Sequence, residues 1–362
     1  MNDQVRVSAQ DPDAVVLNLA WLRPGRVGGS EHYAVNLAIA MIDRGVRLHL
    51  VVGPDVPDAH PDLVSRCAHE VVRIPGGRVG RILGERRRFR RVLASERVVH
   101  HLGGTVAARS STPVALTVFD LQVFDLPQHF HPVKRRYLRA VLPPSLRRAD
   151  LVCVTSSFVI DGLQRHLGVD PDRCRLVPAP IVVTEPAGES PPWPYLLYPA
   201  VTWGHKAHTL LVEMMEAVDR DLHLVLTGAA GPAHRQVLAA IEASGARERI
   251  HHLGRVAPGR LAALYRGARA VVVPSQYEGF GQPAIEAMAH GVPVLVSTHG
   301  ALPEVVGGAA RTVPDDPEAW AAAVGEVDAD RPDRIAAGLA RAARFSPEAA
   351  AIAQLAVYDE LG

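Results

Sequence analysis

Short apolar runs recur along both halves of this chain, each followed by a longer stretch whose apolar residues return at helical spacing. Uninterrupted runs of about five apolar residues belong to strands covered on both faces, as in parallel sheets whose crossover connections are helices. A sandwich would show closely spaced strands with alternating faces, and a bundle would show no strands. The pattern therefore predicts an α/β chain of doubly wound parallel sheets. The expected strands are 15–20, 48–52, 98–100, 114–118 and 151–155 in the first half, and 195–198, 222–227, 250–253, 270–273 and 292–297 in the second.

With 362 residues, 48% of them hydrophobic, the chain is long for one domain and can fill two cores. The richest proline stretch carries Pro178, Pro180, Pro186, Pro191, Pro192 and Pro194, which removes backbone donors and forbids regular structure. It predicts a linker at 181–194 between Rossmann-like domains at 1–180 and 195–344. Two such domains joined by a hinge set the ends of their strands face to face, and open parallel sheets bind ligands at those ends.

The residues at 274–303, PSQYEGFGQPAIEAMAHGVPVLVSTHGALP, carry the most chemistry. The buried run 270–273 is followed by Glu278, then Gly279, Phe280 and Gly281, then Pro283 in a position suited to a helix start. Glu286 is expected on the opening turn of that helix, where free amides attract anions and a carboxylate can accept two hydrogen bonds from a vicinal diol such as ribose. Two carboxylates on either side of a Gly-Phe-Gly loop form the layout of a sugar-nucleotide site. A bare pair of glutamates at this spacing would carry nothing, since solvated helix faces produce it constantly.

This segment resembles the signature of the retaining glycosyltransferases of family 4, which have the GT-B fold: EGFGxPxxEAMAxGxPV, continued here through Ser297, Gly300, Pro303 and Gly307. Looser likeness covers almost the whole chain. The resemblance implies two Rossmann-like domains facing across a cleft, the first for the acceptor and the second for the nucleotide sugar. It also implies a last helix, within 345–362, that crosses back onto the first domain, with Leu355, Val357, Tyr358 and Leu361 available for its apolar face.

Further site residues follow from matching positions. Lys206, in Trp203-Gly204-His205-Lys206 ahead of a helical pattern at 209–218, is a counter-charge for a pyrophosphate leaving group. Relatives carry an arginine where this chain has Val201, so a second cation would come from elsewhere, with Arg255 a candidate, or is dispensed with as in a Trp-x-His-Lys subgroup that this chain resembles. Gly28 and Gly29 open the helical pattern 30–42, where a simple tight turn competes with a phosphate- or acceptor-contacting loop; Glu31 reads as a capping residue. His100 and His101 end a first-domain strand near where the family places a histidine. Period-two alternation sends them to opposite faces, so one is a packed core residue, with His101 favoured for the cleft. Where many relatives read His-Asp-Leu, this chain has Phe119, Asp120 and Leu121, which leaves Asp120 to orient an acceptor hydroxyl. Thr227, Gly228, Arg255 and Val256 resemble the ribose-and-base pocket, where main-chain groups usually meet the base.

The same residues exclude several classes. No P-loop, Gly-x-Gly-x-x-Gly, His-Glu-x-x-His or Gly-x-Ser-x-Gly motif occurs. The Asp-x-Asp pairs at 11/13, 170/172 and 328/330 lie in polar turns, and the paired histidines lack acidic or cysteine partners, so no metal or other cofactor is expected. Cys67, Cys153 and Cys174 are odd in number and read as reduced, mostly buried thiols. Residues 1–180 carry 25 Lys/Arg against 17 Asp/Glu, much of the excess in 78–91 and in Lys134, Arg135, Arg136 and Arg139. A solvated arginine-rich helix in a protein from a GC-rich genome is the default reading, and peripheral contact with an anionic membrane surface is the second. Nucleic acid comes last because no nucleic-acid-binding motif accompanies the arginines. The absence of a long apolar stretch or a signal-like N-terminus predicts a cytoplasmic bacterial enzyme.

The combined expectation is a retaining, metal-independent glycosyltransferase moving a hexose-type sugar from a nucleoside diphosphate sugar to a small-molecule, lipid-linked or polysaccharide acceptor hydroxyl. Its rivals on the same scaffold are a coupling enzyme, a sugar-nucleotide epimerase, and a non-catalytic nucleotide-sugar-binding protein at a membrane or partner surface.

Overall fold

The computed structural model describes residues 13–25, 28–72, 97–106 and 109–362; the arginine run at 78–91 lies outside them. The chain forms two compact units, one of residues 1–180 with 346–362 and the other of residues 181–345.

The first unit is a parallel sheet of β1 (Val15–Leu19), β2 (Leu48–Val52), β3 (Ala68–Val71), β4 (Val98–His101), β5 (Val114–Thr117), β6 (Leu151–Val154) and β7 (Cys174–Leu176), in the order β3-β2-β1-β4-β5-β6-β7. Every residue of β1, β4, β5 and β6 is buried, as strands covered on both faces require. The order reverses between β1 and β4. That switch point is where an open sheet leaves a crevice beyond its strand ends.

Helix Pro347–Leu361 belongs to this unit and packs along helix Gly29–Asp43. Its buried face consists of Ala350, Ala351, Gln354, Val357 and Tyr358, while Leu355 and Leu361 are only half-buried. Small alanines allow the close approach that two leucines would have prevented. Ion pairs Arg97–Asp359 and Arg175–Glu360 and a contact from Gln354 to the Cys153 thiol hold its end.

The second unit repeats the architecture with β8 (Tyr195–Pro199), β9 (His223–Thr227), β10 (Ile250–His252), β11 (Ala270–Val273), β12 (Val294–Ser297) and β13 (Arg311–Val313), all parallel in the order β10-β9-β8-β11-β12-β13. Here the switch point lies between β8 and β11. The proline stretch 181–194 is irregular, as its composition demands, yet it is part of this unit rather than a free connection. Ala187 donates its N–H to the Gly259 carbonyl, Ser190 bonds to the Ala263 carbonyl, and Trp193 stacks on His223 and His251 at 4.1 and 4.7 Å. Prolines exclude a strand but leave the chain free to lie against a helix and find side-chain and carbonyl partners there.

Candidate functional site

In the second unit, Lys206 and Glu278 lie on the loops that follow β8 and β11, the two strands flanking the switch point. The Lys206 ammonium donates to Glu278 Oε1 at 2.6 Å, with side chains 17% and 12% exposed. Residues 72 positions apart are thus joined where an open parallel sheet binds ligands.

The loops are fixed to one another by main chain as well. Gln276 N–H donates to the His205 carbonyl at 2.7 Å, and Ala301 N–H donates to the Glu278 carbonyl at 2.9 Å. A Cβ at Gly300 would stand 2.6 Å from that carbonyl oxygen, so only glycine admits the approach. Gly281 has φ +94°, and a Cβ there would meet Leu302 at 2.5 Å. The Phe280 ring packs edge-on against Phe345 with centroids 5.2 Å apart.

Glu286 lies beyond the first turn of helix Gln282–Ala289, which contains no acidic residue in that turn, and this corrects the expected opening-turn position. The helix begins at Gln282, immediately after the left-handed Gly281, so the carboxylate is on its fifth residue. Tyr265 donates its hydroxyl to Glu286 Oε2 at 2.8 Å, and the Gln282 amide donates to Oε1 at 2.7 Å. Burial, and then the Glu286 charge, push the Tyr265 phenol well above its ordinary range, so it serves as a donor only.

Around β9 and β10, Gly228 donates its N–H to the Gly254 carbonyl at 2.8 Å and has φ +130°. A Cβ there would be 2.3 Å from the Ala200 carbonyl oxygen, so the loops after β8 and β9 lie backbone against backbone. Thr227 is buried beside them, Val256 is half-buried and Arg255 is exposed.

In the first unit, Gly28 caps helix Gly29–Asp43 with φ +69°, and both glycines are exposed. Glu31 provides no side-chain cap: it accepts the Gly25 N–H at 2.8 Å and pairs with His60 at 2.9 Å, which pins the strand-to-helix loop from behind. His100 is fully buried, with Nδ1 2.7 Å from the Tyr358 hydroxyl and Nε2 2.7 Å from Thr117 Oγ1. Both ring nitrogens are committed and desolvation lowers its pKa to about 3, so it is a neutral core residue and not a catalytic one. His101 faces the other way, with Nδ1 2.9 Å from Asn18 Nδ2 at the β1/β4 switch point; burial lowers it to about 4. Phe119 packs against Tyr33 (5.0 Å) and Trp21 (6.4 Å), filling an aromatic corner. Asp120 is exposed and accepts the Gln122 N–H at 3.1 Å, which sets the start of the short helix Gln122–Asp125.

Elsewhere Asp170 caps the turn at Pro171–Arg173, and Asp328 and Asp330 pair with arginines. Among the described residues no three His, Cys, Asp or Glu side chains are grouped to hold a metal ion. Tyr198, Tyr265 and Ser275 support the site without having been singled out in the sequence. A tyrosine ending a buried strand and a serine following one are ordinary core residues until their partners are known.

Comparison with known proteins agrees with this geometry. Residues 194–330 match the profile described as glycosyl transferases group 1, and residues 27–185 match that of glycosyltransferase family 4. The chain is 34% identical over 257 residues to O-antigen chain mannosyltransferase B of Escherichia coli, covering 65% of this chain and 67% of that protein. It is 33% identical over 239 residues to the D-inositol 3-phosphate glycosyltransferase of Xylanimonas cellulosilytica, covering 59% of this chain and 57% of that one. The crystal structure of Anabaena HepE with UDP and glucose superposes with a TM-score of 0.75 at 18% identity, over 96% of this chain and 100% of that one. Two parallel-sheet units with strand-end loops of this kind, and sequence matches across both, identify the fold as GT-B and place the chain in the group 1 glycosyltransferases, to which it belongs.

Proposed function

We propose that this glycosyltransferase is a retaining, metal-independent enzyme that moves a hexose-type sugar from a nucleoside diphosphate sugar to an acceptor hydroxyl. The observation that carries the reading is the Lys206–Glu278 pair at the β8/β11 switch point. Lys206 takes the diphosphate and Glu278 the sugar hydroxyls, while Glu286, steadied by Tyr265, takes the ribose diol in place of Gln282. Supporting the donor class are the mannosyl transfer named for the Escherichia coli relative and the UDP and glucose in the HepE structure. The acceptor oxygen bonds to the anomeric carbon on the face from which the phosphate departs, and the phosphate oxygen accepts the hydroxyl proton. An ammonium beside the leaving group supplies the positive charge that the forming diphosphate needs, which favours a reaction without metal. The first unit would take the acceptor, be it a small molecule, a lipid-linked sugar or a polysaccharide.

The test is a panel of nucleoside diphosphate sugars screened by thermal shift, followed by product analysis with the donor that binds. Transfer with retained anomeric configuration in the presence of chelator is the expected result. An inverted or epimerised product, or binding with neither transfer nor hydrolysis, would overturn it. Glu286→Ala is expected to weaken nucleotide binding about tenfold or more, the scale of hydrogen bonds to a charged group. Unchanged affinity by calorimetry would remove Glu286 from the ribose site.

The basic surface supports a peripheral membrane role. Helix Pro132–Leu146 carries Lys134, Arg135, Arg136 and Arg139 with no acidic residue, and Val133 is 71% exposed. Lys134 lies 5.0 Å over the Phe130 ring and Arg139 5.3 Å over Phe124, so cations and apolar groups share one surface. No helix among the described residues is long and apolar enough to cross a membrane. Binding to anionic vesicles that fades with added salt is expected in sedimentation assays. Its absence at low salt would leave a solvated helix.

A further inference from the structure

We propose that Tyr198 is a positioning residue for Lys206, acting through a buried hydroxyl relay that spans three strands of the second sheet; this rests on the reading of Lys206 as the diphosphate counter-charge. Tyr198 is fully buried at the end of β8. Its hydroxyl lies 3.0 Å from the Lys206 carbonyl oxygen and 2.9 Å from Ser275 Oγ. A carbonyl can only accept, so the tyrosine proton goes to Lys206 and Ser275 donates to the tyrosine oxygen. Ser275 and Ser297 are both fully buried, and Ser297 Oγ donates to the Ser275 carbonyl at 2.5 Å. The relay thus runs from the end of β12, through the residue two beyond β11, to the residue that must hold the cation.

The backbone at this point needs holding. Ala207, directly after Lys206, has φ +49° and ψ +39°, and among the described residues it is the only non-glycine with positive φ. A residue with a Cβ adopts this region at a cost and stays there only when its surroundings fix it. The Tyr198 bond to the Lys206 carbonyl anchors the peptide that enters Ala207, and Ala207 N–H donates back to the Gly204 carbonyl at 3.2 Å. Burial first, and the Glu278 charge second, push the Tyr198 phenol well above its ordinary range. The relay therefore stays protonated through the neutral range and does not itself transfer a proton to substrate.

The experiment is a double-mutant cycle on the full chain with the donor found by the screen above, reading kcat and donor KM separately. Tyr198→Phe keeps the ring and removes the hydroxyl. It is expected to lower kcat about tenfold, with donor KM changed by less than about twofold, because Tyr198→Phe leaves the ammonium in place for the charge the bound diphosphate already carries and misplaces it for the charge added in the transition state. In a Lys206→Ala background the same change is expected to cost nothing further, since a residue that acts through Lys206 has no effect once the lysine is gone. Ser275→Ala, which removes the donor to Tyr198 but leaves the Lys206 carbonyl bonded, should give a smaller loss of the same coupled kind. It also carries the cycle alone if Tyr198→Phe fails to fold. Additive losses in the two backgrounds, or full kcat in both relay variants, would overturn the proposal. A Lys206→Ala enzyme with normal turnover would instead overturn the reading beneath it, so the two failures are distinguishable.

Discussion

Lys206→Ala is expected to lower turnover about a hundredfold, the loss that accompanies removal of one electrostatic contact to charge developing in a transition state. The structure adds a second consequence. Lys206 neutralises Glu278 at 2.6 Å in a partly buried site, so its removal leaves a carboxylate facing the position assigned to the diphosphate. Nucleotide affinity should fall along with kcat, and Lys206→Ala/Glu278→Ala should recover part of the affinity while remaining slow. Steady-state kinetics with calorimetric titration of the nucleoside diphosphate checks both parts. A near-normal rate would take Lys206 out of the mechanism, and a double variant that binds no better than the single one would show that repulsion from Glu278 is not at work.

Glu278→Ala separates the two halves of the donor. The Glu278 carboxylate bonds to the Lys206 ammonium, and on the proposed reading a diphosphate competes with it for that ammonium. Removing it frees Lys206 and deletes a like charge beside the phosphates, and both effects favour the nucleoside diphosphate alone. On the same proposed reading the intact sugar nucleotide would also lose hydroxyl contacts to a charged acceptor, each on the order of 1.5–3 kcal/mol. The expected result is nucleoside diphosphate affinity raised severalfold, together with turnover reduced by about a hundredfold. If both affinities fall in parallel, Glu278 supports the phosphate site instead of competing with it. Gln at this position, which keeps a hydrogen-bonding side chain without the charge, should retain more sugar binding than Ala.

The ten strands expected from the apolar runs are all present, with ends shifted by a residue or two. At β12 the shift has a clear origin: Pro293 cannot donate to a ladder, so the strand starts at Val294 while the Pro293 carbonyl still accepts from Val271. The runs did not reveal β3, β7 and β13. Each is at a sheet edge, three or four residues long, with polar or half-exposed positions such as His69, Glu70, Arg175 and Thr312. These three edge strands are covered on fewer sides, and their composition does not separate them from loops, whereas β10, also an edge, was marked by its run at 250–253.

The site divides in the same way. Glu278, Gly279, Phe280, Gly281 and Glu286 were legible because they are consecutive or nearly so, and the glycines are needed locally, by a positive φ at Gly281. Alternation along β4 showed that His100 and His101 point apart, but it could not say which faces the core. Tyr358, 258 positions later, decides that by filling the space beside His100.

What the chain's own order of residues determined was the periodicity, and with it parallel sheets, two units and a Gly-Phe-Gly loop between two carboxylates, because these depend on interactions within a few residues. What only the folded structure decided was which distant groups meet. The ammonium of Lys206 on the carboxylate of Glu278, Tyr265 on Glu286, and Tyr198 between Lys206 and Ser275 are joined by strand order, and strand order sets neighbours that spacing along the chain does not encode.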